Sequence, residues 1–156
     1  MGIDCGAKKL REIVRILERK LGALDEIKSS CCGVTLAQCH AIVEIGRAES
    51  LSLNDLANIL GLDKSTMSRT VSSLVLGKLV TQEINPEDRR YVTIRLTESG
   101  SRIYREIEES MDKYFKKVFN TILEEKRKQV LESLELLVKA LARNERCRKE
   151  RSILSK

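Results

Sequence analysis

Residues 52–76 read SLNDLANILGLDKSTMSRTVSSLVL, and this stretch decides the fold. Ser52, which is followed three residues later by an acidic side chain, predicts the start of a helix with an apolar stripe at helical spacing. Gly61 suits a left-handed C-terminal cap, and Asp63 is a good N-cap for a second helix over residues 64–76. Two short helices joined by so tight a turn are typical of a helix-turn-helix.

The apolar pattern after this helix changes from a period of about 3.6 residues to a period of about 2. It predicts one strand over residues 79–84 and a second over residues 91–96, with turn residues at 85–88 between them. Arg89 and Arg90 then lie near the tip of a β-hairpin. A helix-turn-helix followed by such a hairpin is a winged helix.

Amphipathic helices flank this region on both sides. Upstream, apolar residues predict a helix over 7–28 that residues 29–33 interrupt, and Thr35 starts a capping-box pattern that opens a second helix. Downstream, Thr97 caps a helix of about 28 residues, and a last helix follows from about Lys126.

Composition excludes several classes of protein. With 156 residues, 42% hydrophobic and 33% charged, the chain is too apolar to be disordered and too charged for a membrane protein. It has no run of the ~18–20 apolar residues that a transmembrane helix needs, and its N-terminus does not resemble a signal peptide, so we expect a cytoplasmic protein. Its five cysteines are then not a disulfide framework. With one histidine and no catalytic or phosphate-binding motif, neither an enzyme nor a cofactor is expected.

The most specific motif is DRRYVTIRLTESG at residues 88–100. It resembles the wing motif of the MarR family of transcription regulators, which is Asp-x-Arg, a strand, and then Leu-Thr-x-x-Gly. Residues 56–66 are similar to the helix-turn-helix of that family, and the order of helices agrees over nearly the whole chain.

The resemblance implies an obligate homodimer, in which the first helix and the last two helices intertwine with those of the partner and two winged helices bind a pseudo-palindromic duplex. The residues favour the same arrangement, because three amphipathic helices flank a winged helix too small to cover their apolar faces. We therefore expect a mainly α fold with a small β-hairpin wing, a winged helix-turn-helix flanked by dimerisation helices. The expected divisions are N-terminal dimerisation and support helices (1–48), the winged helix-turn-helix (49–97), C-terminal dimerisation helices (98–144) and a flexible basic tail (145–156).

The second predicted helix of the helix-turn-helix departs from the family at one place. Many members carry Asp-Arg where this chain has Ser72 and Ser73. In the family the Asp–Arg pair often helps to hold the recognition helix against the wing, and this chain lacks that pair.

A recognition helix enters the major groove through its N-terminal turns. Arg69 is the best direct reader, because its guanidinium can bond two acceptors of one guanine. Arg89 and Arg90 are expected to reach the minor groove or its phosphates, with Asp88 paired to one of them and supporting the wing. The residues expected to contact DNA are Lys64, Ser65, Thr66, Ser68, Arg69, Arg89 and Arg90.

The net charge of +6 is compatible with an anionic partner but does not come from the winged helix. Residues 50–97 hold six basic and five acidic side chains. We therefore expect affinity from a few well-placed cations, and a moderate dependence on salt.

The cysteines between the first two helices allow several interpretations. Cys31 and Cys32 could chelate a soft metal ion, Cys31, Cys32 and Cys39 with His40 could supply zinc-type ligands, or an exposed thiolate could be oxidised. Against these, Cys39 lies where a helix would bury a small apolar residue, and the spacing matches no established zinc pattern.

The expected function is sequence-specific binding of double-stranded DNA by a dimeric repressor, which a small-molecule, soft-metal or redox signal releases. A small hydrophobic or aromatic-acid effector would bind in the crevice between the winged helix and the dimer helices. The alternative is a winged-helix module for protein interaction without specific DNA binding, because a fold does not fix a function.

Overall fold

Six helices and three short strands make up the part of the chain that the computed structural model describes. It describes residues 2–84, 86–88 and 91–154, and the side chains of these residues except 23–31 and 145–154. The elements are α1 (Ile3–Cys32), α2 (Leu36–Ala48), β1 (Leu51–Ser52), α3 (Leu53–Leu60), α4 (Lys64–Leu76), β2 (Val80–Ile84), β3 (Val92–Leu96), α5 (Glu98–Thr121) and α6 (Glu124–Leu154).

The helix-turn-helix forms through the caps that the sequence predicts. The Ser52 hydroxyl accepts a hydrogen bond from the Asp55 amide at 3.0 Å and so starts α3. Gly61 ends α3 at φ 65°, in the left-handed region that glycine adopts without strain. Asp63 then starts α4 by accepting from the Thr66 amide at 2.9 Å.

The wing is a three-stranded antiparallel sheet in the order β1-β3-β2. Val80 pairs with Leu96 and Ile84 with Val92. Leu51 of the two-residue strand β1 pairs with Ile94. Ile94 is fully buried, so the central strand anchors the wing to the helices.

The core of the winged helix is built around α2, which contacts α1, α3, α4 and β3. Its apolar face meets the inner faces of α3 and α4, and burial of these side chains provides the main free energy that holds the helices together. The fully buried side chains of this core are Cys39, Ile42, Ile45, Leu56, Met67, Val71, Leu74 and Ile94.

Two predicted boundaries were wrong. Helix α1 continues through the expected break at residues 29–33 and ends at Gly33, whose φ is 65°. Helix α5 has 24 residues and is shorter than predicted. The backbone of α6 is helical through Leu154, and residues 145–154 contain neither Gly nor Pro and are rich in good helix formers. That the basic tail is flexible stays a prediction.

The chain divides into two compact units, Met1–Ser110 and Met111–Lys156. The first contains the winged helix. In the second, Arg127 closes the turn between α5 and α6: its Nε donates to the Ile122 carbonyl at 3.1 Å and its guanidinium lies 5.2 Å from the centre of the Phe119 ring. Among the described residues, no helix has the length and apolarity needed to cross a membrane.

Candidate nucleic-acid interface

Helix α4 is amphipathic, with one buried face and one exposed face. Met67, Val71 and Leu74 lie inside with at most 1% of their surface exposed. The opposite face carries short polar side chains and two cations in its first two turns, all exposed to solvent. These are Lys64, Ser65, Ser68 and Arg69.

The first turn of α4 is held by Asp63. Its two carboxylate oxygens accept from the Thr66 amide at 2.9 Å and from the Thr66 hydroxyl at 2.6 Å. These hydrogen bonds, the side-chain bond first, lower the pKa of Asp63 below its ordinary value of 3.8. Thr66 was expected to contact DNA, but the structure shows its hydroxyl hydrogen engaged in the cap and its side chain partly buried.

The tip of the wing is described only in part. Arg89 and Arg90, both expected DNA contacts, lie outside the described residues. Asp88, expected to support the wing, is partly buried, and its carbonyl accepts from the Tyr91 amide at 3.0 Å and closes the turn. Tyr91 and Ile84 are 60% and 61% exposed beside this turn.

Thr97 joins the residues that follow α4 to the start of α5. Its hydroxyl donates to the Lys78 carbonyl at 2.8 Å and accepts from the Gly100 amide at 3.0 Å. Its own amide donates to the Leu79 carbonyl at 3.0 Å. The prediction that Thr97 caps α5 is confirmed, and the bond to Lys78 gives the Leu-Thr-x-x-Gly pattern a physical reason that the sequence alone did not show.

A second side-chain link joins α2 to α4. Gln38 Nε2 donates to Ser73 Oγ at 2.8 Å, while Gln38 Oε1 accepts from the Thr35 amide at 2.9 Å. The capping box of α2 was predicted, and it is confirmed. The bond to Ser73 was not predicted, because the two residues are 35 positions apart.

A cavity of about 370 Å³ opens between the end of α2, the end of β3 and the first turns of α5. Gly46 lies against the Tyr104 ring, so closely that a Cβ there would be 2.6 Å from a ring carbon. Glu49 has φ 62°, an uncommon backbone conformation for this residue type. The cavity is lined by Ile45, Gly46, Glu49, Leu96, Ser101, Tyr104 and Arg105.

The cysteines singled out in the sequence differ in environment. Cys39 is 1% exposed in the core, as expected of a small apolar residue. Cys32 is partly exposed at the end of α1, and the side chain of Cys31 lies outside the described residues. In the described part of the chain, no group of three or more His, Cys, Asp or Glu side chains is placed to hold a metal ion.

These features define a class of protein: a winged helix with an exposed recognition helix, extended by long amphipathic helices. The sequence profile of the MarR family matches residues 33–90, from the end of α1 to the tip of the wing. The transcriptional regulator BilQ of Clostridium symbiosum is 23% identical over 107 residues, which cover 69% of this chain and 74% of BilQ.

Solved structures agree with this fold over most of the chain. FabT of Streptococcus pneumoniae, determined in complex with DNA, has a TM-score of 0.79 at 18% identity over 87% of this chain and 97% of its own. A MarR transcriptional regulator of Methanosarcina mazei has a TM-score of 0.74 at 20% identity over 87% of this chain and 98% of its own. The winged helix of this chain is therefore similar to that of MarR-family regulators, and the fold agrees with solved structures of such proteins, as the resemblance in the wing motif implied.

Proposed function

We propose that the protein is a homodimeric transcriptional regulator that binds double-stranded DNA through α4 and the wing. The exposed start of α4 carries this proposal. Lys64 and Arg69 provide cations there, and Ser65 and Ser68 provide short hydrogen-bond donors, while the opposite face of the helix is buried. This is the arrangement that a helix needs to enter a major groove and contact base edges.

The first-turn amides of α4 add to this surface. A helix N-terminus favours an anion, because its amides are unpaired and the helix dipole is positive there. Asp63 already occupies one of these amides, that of Thr66. We propose that the side chains of this surface have two roles in binding DNA. Arg69 contacts base edges, whereas Lys64 and Ser65 contact phosphates and set the register of the helix on the duplex.

The proposed dimer rests on exposed apolar stripes in both units. In α1, Leu10, Ile13, Leu17 and Leu21 are between 37% and 51% exposed. In α6, Leu131, Leu134 and Leu141 are between 44% and 51% exposed. Contiguous apolar faces of this extent are rare on monomeric proteins. A second copy covers them symmetrically and places two recognition helices on one duplex.

The proposed regulation is repression that a small molecule relieves by binding the cavity beside Gly46. Apolar side chains and the Tyr104 ring line it together with Ser101, Glu49 and Arg105, which suits an aromatic acid. Such a ligand changes DNA affinity only if it binds one spacing of the two recognition helices better than the other. The burial of Cys39 makes a thiol-based signal through that residue a weaker proposal.

The test of DNA binding is fluorescence anisotropy with a duplex that the wild-type protein selects from a randomised pool. Binding should be at least about a thousandfold tighter than to a shuffled duplex of the same length. Equal affinity for both duplexes would favour the alternative, a winged-helix module for protein interaction.

The test of the effector site uses benzoate as a probe aromatic acid. Benzoate should release the selected duplex from the wild type, and Gly46→Ala should weaken that release, because the new methyl group would clash with the Tyr104 ring that lines the cavity and change its shape. Release by arsenite that Cys32→Ser abolishes, with no effect of benzoate, would instead support the cysteines as the sensor.

A further inference from the structure

The Gln38 side chain makes hydrogen bonds at two places in the winged helix, at the start of α2 and in α4. Its Oε1 accepts from the Thr35 amide at 2.9 Å, which completes the capping box of α2. Its Nε2 donates to Ser73 Oγ at 2.8 Å, in the second half of α4. By contrast, the Thr70 hydroxyl donates within α4, to the Thr66 carbonyl at 3.1 Å.

The orientation of the Gln38 amide follows from its partners. A backbone N–H is only a donor, so the group that faces the Thr35 amide must be the carbonyl oxygen of the side chain. The NH₂ group then faces Ser73 by necessity. Because the capping box already fixes the rotamer, little further side-chain entropy is lost when Gln38 binds Ser73.

A directional hydrogen bond adds to the apolar packing that holds α4. Met67, Val71 and Leu74 bury α4 against its neighbours, but the hydrophobic effect has no direction. A hydrogen bond depends strongly on distance and angle, so the link from Gln38 resists both rotation and sliding of α4. The recognition surface needs such support, because a binding constellation has to be held within about 0.5 Å of its productive geometry.

We propose that Gln38 and Ser73 form a positioning pair that fixes the orientation of the recognition helix for specific DNA binding. The pair joins the first turn of α2 to the second half of α4. The link from α2 therefore holds α4 at a solvent-exposed position, in addition to the buried apolar contacts. This proposal rests on the proposed function, since it assigns a role in specific DNA binding to a contact between two helices.

The test compares Ser73→Ala with Ser72→Ala, a matched change at the adjacent exposed position of the same helix. The readout is the ratio of affinities for the selected duplex and for a shuffled duplex, measured by anisotropy. Ser73→Ala should lower this ratio about threefold to tenfold per half-site, the range that one hydrogen bond supports. Ser72→Ala should leave it unchanged, and so should Ser73→Thr, which keeps the hydroxyl.

Substitutions of Gln38 distinguish its hydrogen bond to Ser73 from its part in the capping box of α2. Gln38→Glu keeps the capping box and can accept from the Ser73 hydroxyl, so it should retain the wild-type ratio. Gln38→Ala should lower the ratio, and adding Ser73→Ala to it should lower the ratio no further. Fully additive effects, or a Ser73→Ala ratio equal to that of the wild type, would overturn the positioning role.

Amide hydrogen exchange in DNA-free protein tests whether the Gln38–Ser73 hydrogen bond stabilises α4 in the absence of a duplex. Ser73→Ala should speed exchange in residues 64–76 relative to Ser72→Ala, while thermal unfolding of both variants stays close to that of the wild type. If the wild-type protein bound the selected and the shuffled duplex equally well, the proposed function would be wrong, and so would the role of the Gln38–Ser73 pair in specific binding. Unchanged exchange in Ser73→Ala overturns the link itself.

Discussion

Gly100, in the first turn of α5, packs directly against the backbone carbonyl of Leu79, so closely that a Cβ on Gly100 would overlap the carbonyl oxygen. Leu79 follows the recognition helix, and its amide donates to the Leu74 carbonyl at 2.9 Å. Thr97 reinforces this junction through its bonds to Lys78 and Leu79. The end of the recognition helix and the start of α5 are therefore joined through backbone groups that cannot move aside independently.

The first prediction concerns this close approach. Gly100→Ala should lower the free energy of unfolding by about 2–3 kcal/mol, because the methyl group meets backbone rather than a flexible side chain. Urea unfolding followed by circular dichroism measures the change. Gly22→Ala is the matched control: its Cβ meets nothing within 4 Å, and in a helix interior the change should stabilise the protein by about 0.5–1 kcal/mol. Equal effects of the two substitutions would contradict the close contact.

The second prediction concerns the acid sensitivity of the α4 cap. The pKa of Asp63 is lower in the folded protein than the ordinary value, mainly through its hydrogen bonds to Thr66. The stabilisation from this carboxylate is therefore present above pH 3.8 and is lost as the pH falls through the lower folded-state pKa. Unfolding free energies of wild type and Asp63→Asn, measured between pH 6 and pH 2, should converge at the acid end.

An independent measurement follows the same carboxyl group directly. In an NMR titration, the Thr66 amide resonance should report protonation of Asp63 at a pH below 3.8. A midpoint at or above that value would show that the cap does not favour the charged form.

The third prediction separates base contacts from phosphate contacts in α4. Arg69→Ala should cost about 1–3 kcal/mol of specific binding per half-site and relax the preference for one base pair, because the paired donors to guanine are lost. Lys64→Ala should weaken the selected and shuffled duplexes alike and reduce the salt slope by about 1 per half-site. Anisotropy titrations at several salt concentrations measure both quantities.

Arg69→Lys is the control for charge at this position. It keeps the cation but loses the planar pair of donors, so nonspecific affinity should remain while specificity falls. If Arg69→Ala and Lys64→Ala had the same effect on specificity and on the salt slope, Arg69 would contact only phosphate.

The local start and stop signals of the winged helix could be predicted from the sequence. Ser52, Gly61 and Asp63 each determine the backbone around them through one side chain or its absence, so a single sequence is enough. The prediction of a helix break at residues 29–33 was wrong, and the reason is also local. Serine and cysteine are weak helix formers but do not stop a helix, whereas Gly33 does.

The side-chain contacts between α2 and its neighbours could not be predicted, because they join distant parts of the chain. Gln38 was recognised as part of a capping box, and nothing in that pattern shows that its amide reaches Ser73. The same holds for Gly46 against Tyr104, which helps to shape the cavity. For Arg89 and Arg90 the sequence motif remains the basis of the prediction.

The last prediction tests whether α1 belongs to a dimer interface. Ile13 and Leu17 are 51% and 37% exposed on the apolar stripe of this helix. Each substitution occurs twice in a symmetric dimer and removes about 1 kcal/mol of apolar burial per site. Ile13→Glu with Leu17→Glu should therefore raise the dimer dissociation constant at least about a hundredfold, as measured by sedimentation velocity.

Arg19→Glu controls for the introduced charge, because Arg19 is exposed on the polar face of the same helix. It should leave the dimer intact. The double variant should also bind the selected duplex more weakly, since a monomer places only one recognition helix on the DNA and loses the contribution of the second half-site. A monomeric wild-type protein, or a double variant that dimerises as tightly as Arg19→Glu, would contradict the assignment of this stripe to the dimer interface.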